Sequence, residues 1–367
     1  MNVCCEKEQE LGEAGVLETE QLIRDTASSG LQPRQKLQGI EHFAMPTKNM
    51  AVLESFVREV FGGIPYYYAG YDQIDRQMGR KPHIFMRIGE ILFQCTEEDG
   101  PMHPTKDDMS VSPHWAFAIA PEGLQDFIRT LRDNGIPYVG PFAQPQHGVT
   151  SIYFESPEGL KLEVCATGTA GNPPVMAENE IDWRSLNHDW RPKNAVGDLG
   201  NIHPVPGGRD TDKDNRFGFS VMHHFTLPVK DIVLMERFLI DLLHAEKGAQ
   251  GPLRIGNTRF ECTIEPNSPL YPVPRDNNIS PHWSFGASTA TLDFYISSLK
   301  QAGLKVAGPY RHRAIDLVSI YFKSPEGHKF EIATWEPYPK DKAAVMGAPG
   351  VGFIPWPDMD HNWRPRT

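Results

Sequence analysis

The chain of 367 residues is acidic, with 47 Asp and Glu against 36 Lys and Arg and a formal net charge of −11. These charges are spread along the chain, which argues against nucleic acid and against an anionic membrane surface as partners, because both require clustered Lys and Arg. No apolar run approaches the roughly 20 residues that span a bilayer, the acidic stretch from Met1 to Gln21 has no signal-peptide core, and five cysteines without zinc-type spacing are typical of a reduced cytoplasmic protein.

In chain order, residues 1–36 are polar and are predicted to be a flexible segment. A pattern of one strand, one helix and about three strands then occurs four times. Apolar stripes with helical spacing predict the four helices, at Met50–Phe61, Gly123–Gly135, Asp231–Leu243 and around Leu292–Leu299, with Gly135 and Gly303 as C-terminal caps. Strand-like runs follow the helices, such as Ile84–Ile88, Ile91–Cys95, Thr150–Phe154 and Leu160–Cys165.

The two halves of the chain are copies of one another. Ser112–Trp115 recurs as Ser280–Trp283, and Ser151–Gly159 recurs as Ser319–Gly327, both at an offset of 168 residues. A Pro- and Trp-rich tail follows each copy. The sequence therefore predicts an α+β fold of four tandem βαβββ modules. The predicted segments are a first domain at 37–170, a linker and extension at 171–215, a second domain at 216–338 and a C-terminal extension at 339–367.

Each half carries two histidines and one glutamate on predicted strands. The sets are His42, His114 and Glu163 in the first half, and His224, His282 and Glu331 in the second. A lone histidine in an apolar strand is more often a core residue than a ligand, but an unpaired charge in a half-buried strand is costly, and here all three positions occur twice. Two imidazoles and a carboxylate suit Fe(II), Mn(II), Ni(II) or Zn(II), and with open positions they are most typical of non-haem Fe(II). The sequence thus predicts one metal site in each half.

A motif that ends at the glutamate of each set carries a family resemblance. The motif Tyr-x-x-Ser-Pro-Glu-Gly-x-x-x-Glu, at Tyr153–Glu163 and Tyr321–Glu331, resembles the vicinal oxygen chelate superfamily, which includes glyoxalase I, extradiol ring-cleaving dioxygenases and fosfomycin-resistance proteins. The resemblance implies paired βαβββ modules whose sheets curl around a metal. It also implies that the first strand of each module supplies one ligand and the last strand of the second module another.

Within the superfamily, the second half is similar to the extradiol dioxygenases, in which a His and a following Tyr sit beside the metal. Here His312 precedes Tyr321 by nine residues. In the first half, Tyr153 has His147 six residues upstream, and His103 lies eleven residues before His114, where an acid–base histidine could fall. The resemblance makes these five residues the candidate catalytic groups.

The sequence departs from the extradiol pattern at two points, which leaves other members of the superfamily as alternatives. Ser156 and Ser324 replace the more usual Asp or Asn before the proline. Glu261 could be a fourth ligand, as in bacterial glyoxalase I, and Gln94 could play that part in the first half. A fourth protein ligand would occupy the position that O2 needs.

Three functions follow from the resemblance. The first is an Fe(II) extradiol-type dioxygenase that acts with O2 on a small catechol- or hydroquinone-like substrate; the second is a glyoxalase-like lyase or isomerase using Ni(II) or Zn(II). The third is a binding module that sequesters a small molecule, which complete ligand sets make the least favoured. The pattern leaves a homo-oligomer open.

Overall fold

Four modules follow one another along the chain, as the repeat predicts. The computed structural model describes residues 36–70, 73–77, 81–97, 113–145, 147–168, 173–175, 181–193, 215–248, 251–265, 281–313 and 315–365. Module 1 comprises β1 (Ile40–Thr47), α1 (Met50–Val60), β2 (Ile64–Ala69), α2 (Gln73–Gln77), β3 (His83–Ile88) and β4 (Ile91–Glu97). Module 2 comprises β5 (Trp115–Ile119), α3 (Pro121–Asp133), β6 (Tyr138–Gln144), β7 (Val149–Glu155) and β8 (Lys161–Thr167).

The second half repeats this order. Module 3 comprises β9 (Phe219–Val229), α4 (Ile232–Leu243), β10 (Glu246–Lys247), β11 (Leu253–Ile255) and β12 (Thr258–Ile264). Module 4 comprises β13 (His282–Gly286), α5 (Thr289–Gln301), β14 (Ala307–Arg311), β15 (Val318–Lys323) and β16 (Lys329–Thr334), and β17 (Ala344–Val345) follows in the tail. In the described parts of the tails, short 3-10 turns lie at Trp183–Leu186, Lys340–Lys342 and Trp356–Met359. The α+β fold class is confirmed.

The predicted helices form because each has an apolar stripe and a defined start and stop. In α3 the buried side chains are those of the predicted stripe, Leu124, Phe127, Ile128 and Leu131. Helix α4 begins after Asp231, whose side chain accepts a hydrogen bond from the Leu234 backbone N–H at 2.9 Å and so satisfies a donor at the helix start. Gly135 and Gly303 follow α3 and α5 with φ values of 66° and 85°, which only glycine adopts without strain.

The strands assemble into two sheets that do not follow the two halves of the chain. The nine-stranded sheet has the order β17-β14-β15-β16-β13-β1-β4-β3-β2 and joins module 4 to module 1. The eight-stranded sheet has the order β10-β11-β12-β9-β5-β8-β7-β6 and joins module 3 to module 2. Strands β1 and β13, and strands β5 and β9, are the antiparallel junctions. The predicted domains at 37–170 and 216–338 each contain two modules that are consecutive in sequence, whereas each sheet joins one module from the first half to one from the second.

The repeated Ser-Pro-Glu-Gly turn ties the modules of one half together. Glu158 accepts hydrogen bonds from the backbone N–H groups of Lys48 and Asn49, at 3.2 and 2.9 Å, just before α1. Glu326 accepts them from Lys230 and Asp231, at 2.8 and 2.7 Å, just before α4. A carboxylate at a helix N-terminus satisfies donors that have no partner within the helix. This role explains why the motif keeps its glutamate in both copies.

The tails pack on the modules in matching ways. Trp183 and Trp356 are fully buried. Their rings lie 6.1 Å from Tyr153 and 5.8 Å from Tyr321, measured between centroids. The tail repeat seen in the sequence is thus a repeated docking of the tail, against β7 in the first half and against β15 in the second. Within the described part of the tails, Trp183, Trp190 and Trp356 are buried, in line with the expectation that the tryptophans pack on the modules.

Alternation along the strands separates the apolar core from the face that carries the metal-ligand candidates. Phe43 of β1 packs against Phe93 and Trp115, with ring centroids 4.8 and 6.1 Å apart, whereas the neighbouring His42 points to the opposite face of the sheet. One buried apolar cluster runs from Leu37 to Met359 and draws on all four modules. Among the described residues, none of the helices is long and apolar enough to cross a membrane.

Candidate metal centres

Among the residues that the structure describes, two clusters of His, His and Glu lie where β1 pairs with β13 and β5 pairs with β9. Centre I consists of His42, His282 and Glu331, and centre II consists of His114, His224 and Glu163; all six side chains are buried. All the ligand atoms of a cluster lie within 4.8 Å of one another. The six residues are those that the sequence singled out.

Their grouping differs from the prediction. Centre I takes His42 from module 1 and His282 and Glu331 from module 4, because β1 pairs with β13. Centre II takes His114 and Glu163 from module 2 and His224 from module 3, because β5 pairs with β9. The expectation of one complete metal site within each half of the chain is wrong: each centre takes ligands from both halves.

The donor atoms stand at separations that three protein ligands of one ion adopt. In centre I the Nε2 atoms of the two histidines are 3.2 Å apart and lie 3.1 and 2.9 Å from Glu331 Oε2. In centre II the corresponding distances are 3.1, 3.1 and 3.3 Å. Ligands about 2.1 Å from an ion and at right angles to one another would be about 3.0 Å apart, against about 3.4 Å in a tetrahedron. The residues present therefore fit a divalent cation with three protein ligands on one side.

The charges inside centre I are consistent with a cation-binding cluster. Burial lowers the pKa of His42, but the Glu331 and Glu41 carboxylates outweigh it and raise that pKa to about 10. Burial raises the pKa of Glu331, yet His42 and His282 hold it well below the usual range. Glu331 Oε1 is buried and has no hydrogen-bond partner among the described residues. A buried carboxylate held between two imidazoles satisfies its charge best with a positive ion.

Centre II has the same electrostatic arrangement. Burial raises the pKa of Glu163, but His224 and His114 hold it well below the usual range. Burial lowers the pKa of His224, and Glu163 outweighs that effect, so the pKa is raised. Unlike its counterpart in centre I, the second carboxylate oxygen of Glu163 is engaged, because Ser151 Oγ donates to Oε1 at 2.6 Å.

The outer nitrogens of the ligand histidines have different partners in the two centres. His42 Nδ1 contacts Glu41, whose other oxygen accepts from Trp335 Nε1 at 2.7 Å. This carboxylate–histidine pair fixes the tautomer that presents Nε2 to the centre. At the matching position of centre II, His224 Nδ1 lies 2.9 Å from Nδ1 of His223. Burial, with the neighbouring His224, lowers the pKa of His223 to about 3, so that it is the neutral member of this pair.

Beside centre I lies a hydrogen-bonded group made of His312, Ser319 and Tyr321. His312 Nε2 is 2.8 Å from Ser319 Oγ and 3.2 Å from the Tyr321 hydroxyl, and Ser319 Oγ is 3.3 Å from that hydroxyl. Tyr321 pairs with the ligand Glu331 in the β15–β16 register, so both side chains face the same way. The sequence predicted His312 and Tyr321 here; it missed Ser319.

At centre II the same positions hold Gln144, Ser151 and Tyr153. Gln144 Nε2 contacts the Tyr153 hydroxyl and lies 3.5 Å from Glu163 Oε1. Gln144 precedes Tyr153 by nine residues, as His312 precedes Tyr321. The counterpart of His312 is therefore Gln144 rather than His147. The 168-residue offset of the repeat makes Gln144 the counterpart of His312. The sequence pattern did not predict a role for Gln144, because a glutamine is not an acid–base group.

His147 and Glu261 lie together at the side of centre II. The His147 ring stacks on His224, with centroids 5.8 Å apart and planes at 16°, and its Nε2 is 3.3 Å from Glu261 Oε1. Burial, partly offset by Glu261, lowers the pKa of His147. The triad of centre II does not include Glu261, so this geometry does not meet the expectation of a fourth ligand. Gln94, the corresponding residue near centre I, donates to Thr96 Oγ1 at 3.2 Å, and His103 lies outside the described residues.

The side walls of the two centres differ in polarity. Leu92 pairs with His42 in the β1–β4 register and belongs to a buried apolar cluster with Tyr67 and Phe85. The Phe85 ring lies 5.5 Å from the His42 ring, between centroids. In module 3 the position of Leu92 is taken by Arg259, which pairs with His224. Aromatic and aliphatic side chains therefore lie beside the ligands of centre I, whereas the Arg259 guanidinium lies beside those of centre II.

Comparison with known proteins supports the architecture. No family model and no curated protein matches this chain. Among solved structures, the chain is similar to a presumed dioxygenase from Bacillus subtilis, with 15% identity over 83% of this chain and 87% of that one and a TM-score of 0.54. A glyoxalase I variant from Zea mays matches at 12% identity over 81% and 94% of the two chains, with a TM-score of 0.46. The fosfomycin resistance protein FosX from Listeria monocytogenes matches at 19% identity over 36% of this chain and 94% of that one, with a TM-score of 0.29.

The likeness to the Bacillus subtilis protein shows a shared fold of curled sheets built from βαβββ modules. This chain has that fold in a four-module form. Its modules pair across the halves of the sequence, and it carries two triads with the geometry of a metal site.

Proposed function

We propose that centre I is the active site of an Fe(II)-dependent extradiol-type dioxygenase that cleaves a catechol- or hydroquinone-like ring. The observation that carries the proposal is the pair of His312 and Tyr321, hydrogen-bonded to each other at 3.2 Å on the strand face that also carries Glu331. A three-ligand facial triad leaves room for both a chelating substrate and O2. Iron bound there would supply Lewis-acid and one-electron chemistry.

The protein groups around centre I suit a phenolic substrate. The Tyr321 hydroxyl is placed to donate to a ring oxygen, and His312 Nε2, in contact with that hydroxyl, is placed to accept or return the proton. Ser319 Oγ contacts both and holds their orientation. The apolar wall of Phe85 and Leu92 would pack against a ring and exclude water.

A glyoxalase-like lyase is the alternative chemistry, and it has less support. That reaction needs a second carboxylate on the ion, and the residue in position for it, Glu261, lies outside the triad and contacts His147. Glu261 also lies beside centre II, whereas the pair of His312 and Tyr321 lies beside centre I.

The decisive experiment is oxygen consumption by protein reconstituted anaerobically with Fe(II), using a panel of catechols and hydroquinones. We expect stoichiometric O2 uptake with the appearance of ring-opened products. The matched variant is His312→Gln, which installs the residue found at centre II and should keep the metal while slowing turnover. Turnover of methylglyoxal with a thiol, and no O2 uptake with any ring substrate, would instead support the lyase.

A further inference from the structure

Arg259 is a positive charge beside centre II, and its counterpart beside centre I, Leu92, is apolar. It stands beside His224 in the β9–β12 register, where module 1 places Leu92 beside His42. Because register neighbours project from the same face of a sheet, its side chain lies on the face that carries the ligands. Its positive charge acts on His223, His224 and His147 and opposes their protonation.

Glu261 is the carboxylate whose charge acts on the Arg259 guanidinium, but the two do not form an ion pair within the described residues. Arg259 Nη1 donates to the backbone oxygen of His147 at 3.3 Å. Glu261, two positions along the same strand, contacts His147 instead. Arg254, which pairs with Arg259 across β11 and β12, adds a second positive charge on this face. A half-buried guanidinium in such a position is suited to bind an anion.

We infer that centre II is a second ligand site, distinct in specificity from centre I, that binds a small hydroxycarboxylate whose carboxylate is held by Arg259. The guanidinium fork matches a carboxylate in geometry and charge, and a neighbouring hydroxyl would face the open side of the triad. Gln144 stands beside centre II where His312 stands beside centre I. Centre II therefore lacks the histidine on which the ring chemistry proposed for centre I depends. The inference rests on the metal binding proposed for the triads but not on ring cleavage.

Isothermal titration of Mn(II)-loaded protein with (S)-malate tests the inference. The uncharged diamide of malate is the matched probe, because it keeps the hydroxyl and loses both negative charges. Glu331→Ala confines the metal to centre II, and Glu163→Ala confines it to centre I. We expect malate to bind the Glu331→Ala protein and to prefer it over the Glu163→Ala protein, with the diamide binding more weakly to both.

Substitution of Arg259 then identifies the group that holds the charge. In the Glu331→Ala background, Arg259→Leu copies centre I and should weaken malate binding about 10- to 100-fold, while Arg259→Lys should weaken it less. Arg237→Leu is the control for net charge, because Arg237 lies on α4 in an ion pair with Asp241. It should leave malate binding unchanged.

Metal analysis of the same samples separates the two ways of failing. Equal affinity for malate in the Glu331→Ala protein with and without Arg259→Leu, with metal present in both, overturns the inference alone. Equal binding of malate and its diamide does the same. A Glu331→Ala protein without any metal overturns the assignment of centre II as a metal site, and the inference with it.

Discussion

His42 and Glu331 lie 289 positions apart in the sequence, yet His42 Nε2 is 3.1 Å from Glu331 Oε2. The contact exists because the first strand of module 1 pairs with the first strand of module 4. No equivalent contact links His42 to Glu163 in the triads of the described residues. Neither half of the chain, therefore, holds a complete centre.

The first prediction is that metal content follows this pairing across the halves. His42→Ala combined with Glu331→Ala should leave one ion per chain, because both residues belong to centre I. His42→Ala combined with Glu163→Ala should leave none, because each centre then lacks a ligand. Metal analysis of the purified variants by mass spectrometry measures both numbers. If the second pair of changes left one ion and the first none, the sites would lie within the halves after all.

The ligand residues could be predicted from the sequence, but which of them share a metal centre could not. His, His and Glu stand out because they recur in strands that otherwise bury apolar groups. Because the two halves are repeats, β5 of module 2 and β13 of module 4 are similar strands. Local sequence therefore does not decide which of them pairs with β1 of module 1. The choice depends on long-range packing, such as that of Phe43 against Trp115, which no local pattern reports.

The second prediction concerns the two residues placed to act on substrate. His312→Gln and Tyr321→Phe should retain the iron of centre I and slow ring cleavage about 10²- to 10⁴-fold, the usual cost of losing a general acid or base. Steady-state O2 uptake and iron content are the measurements. Tyr153→Phe makes the same change beside centre II and should leave O2 uptake intact. Loss of activity in Tyr153→Phe but not in Tyr321→Phe would move the chemistry to centre II.

The third prediction is that Glu261 is dispensable for both ions. Glu261→Gln copies Gln94, keeps the shape of the side chain and removes only the partly buried ion pair with His147. We therefore expect full metal content and most of the ring-cleaving activity. A protein that lost the metal of centre II on this change would show that Glu261 moves into the coordination sphere, as the lyase would require.

The fourth prediction tests the structural role of the repeated turn. Glu326→Ala removes the acceptor for two backbone N–H groups ahead of α4, so the melting temperature should fall, with a loss of about 1–3 kcal/mol in the free energy of unfolding. Metal content should be unchanged, because the ligand Glu331 lies on the following strand. Glu326→Gln keeps an acceptor oxygen and should recover part of the stability. A loss of metal without a loss of stability would instead connect the motif to the centre.

The last prediction concerns the ion pair between Asp75 and Arg313, which links the short helix α2 of module 1 to the loop carrying His312. Asp75 is buried; its Oδ1 accepts from Arg313 Nη2 at 3.0 Å and its Oδ2 from the Gly70 N–H at 2.8 Å. Since Arg313 follows His312 directly, this contact positions the histidine against Tyr321. Small displacements of a catalytic group cost about 100-fold or less in rate.

Asp75→Asn should accordingly lower kcat by about 10-fold or more while leaving the iron of centre I in place. Arg313→Gln should have a similar effect, and the two changes together should cost little more than either alone, because both weaken the same ion pair. Asp241→Asn, which breaks the exposed pair with Arg237 on α4, is the control and should leave kcat unchanged. Effects of Asp75→Asn and Arg313→Gln that simply added would mean that the two residues act separately and that their contact does not position His312.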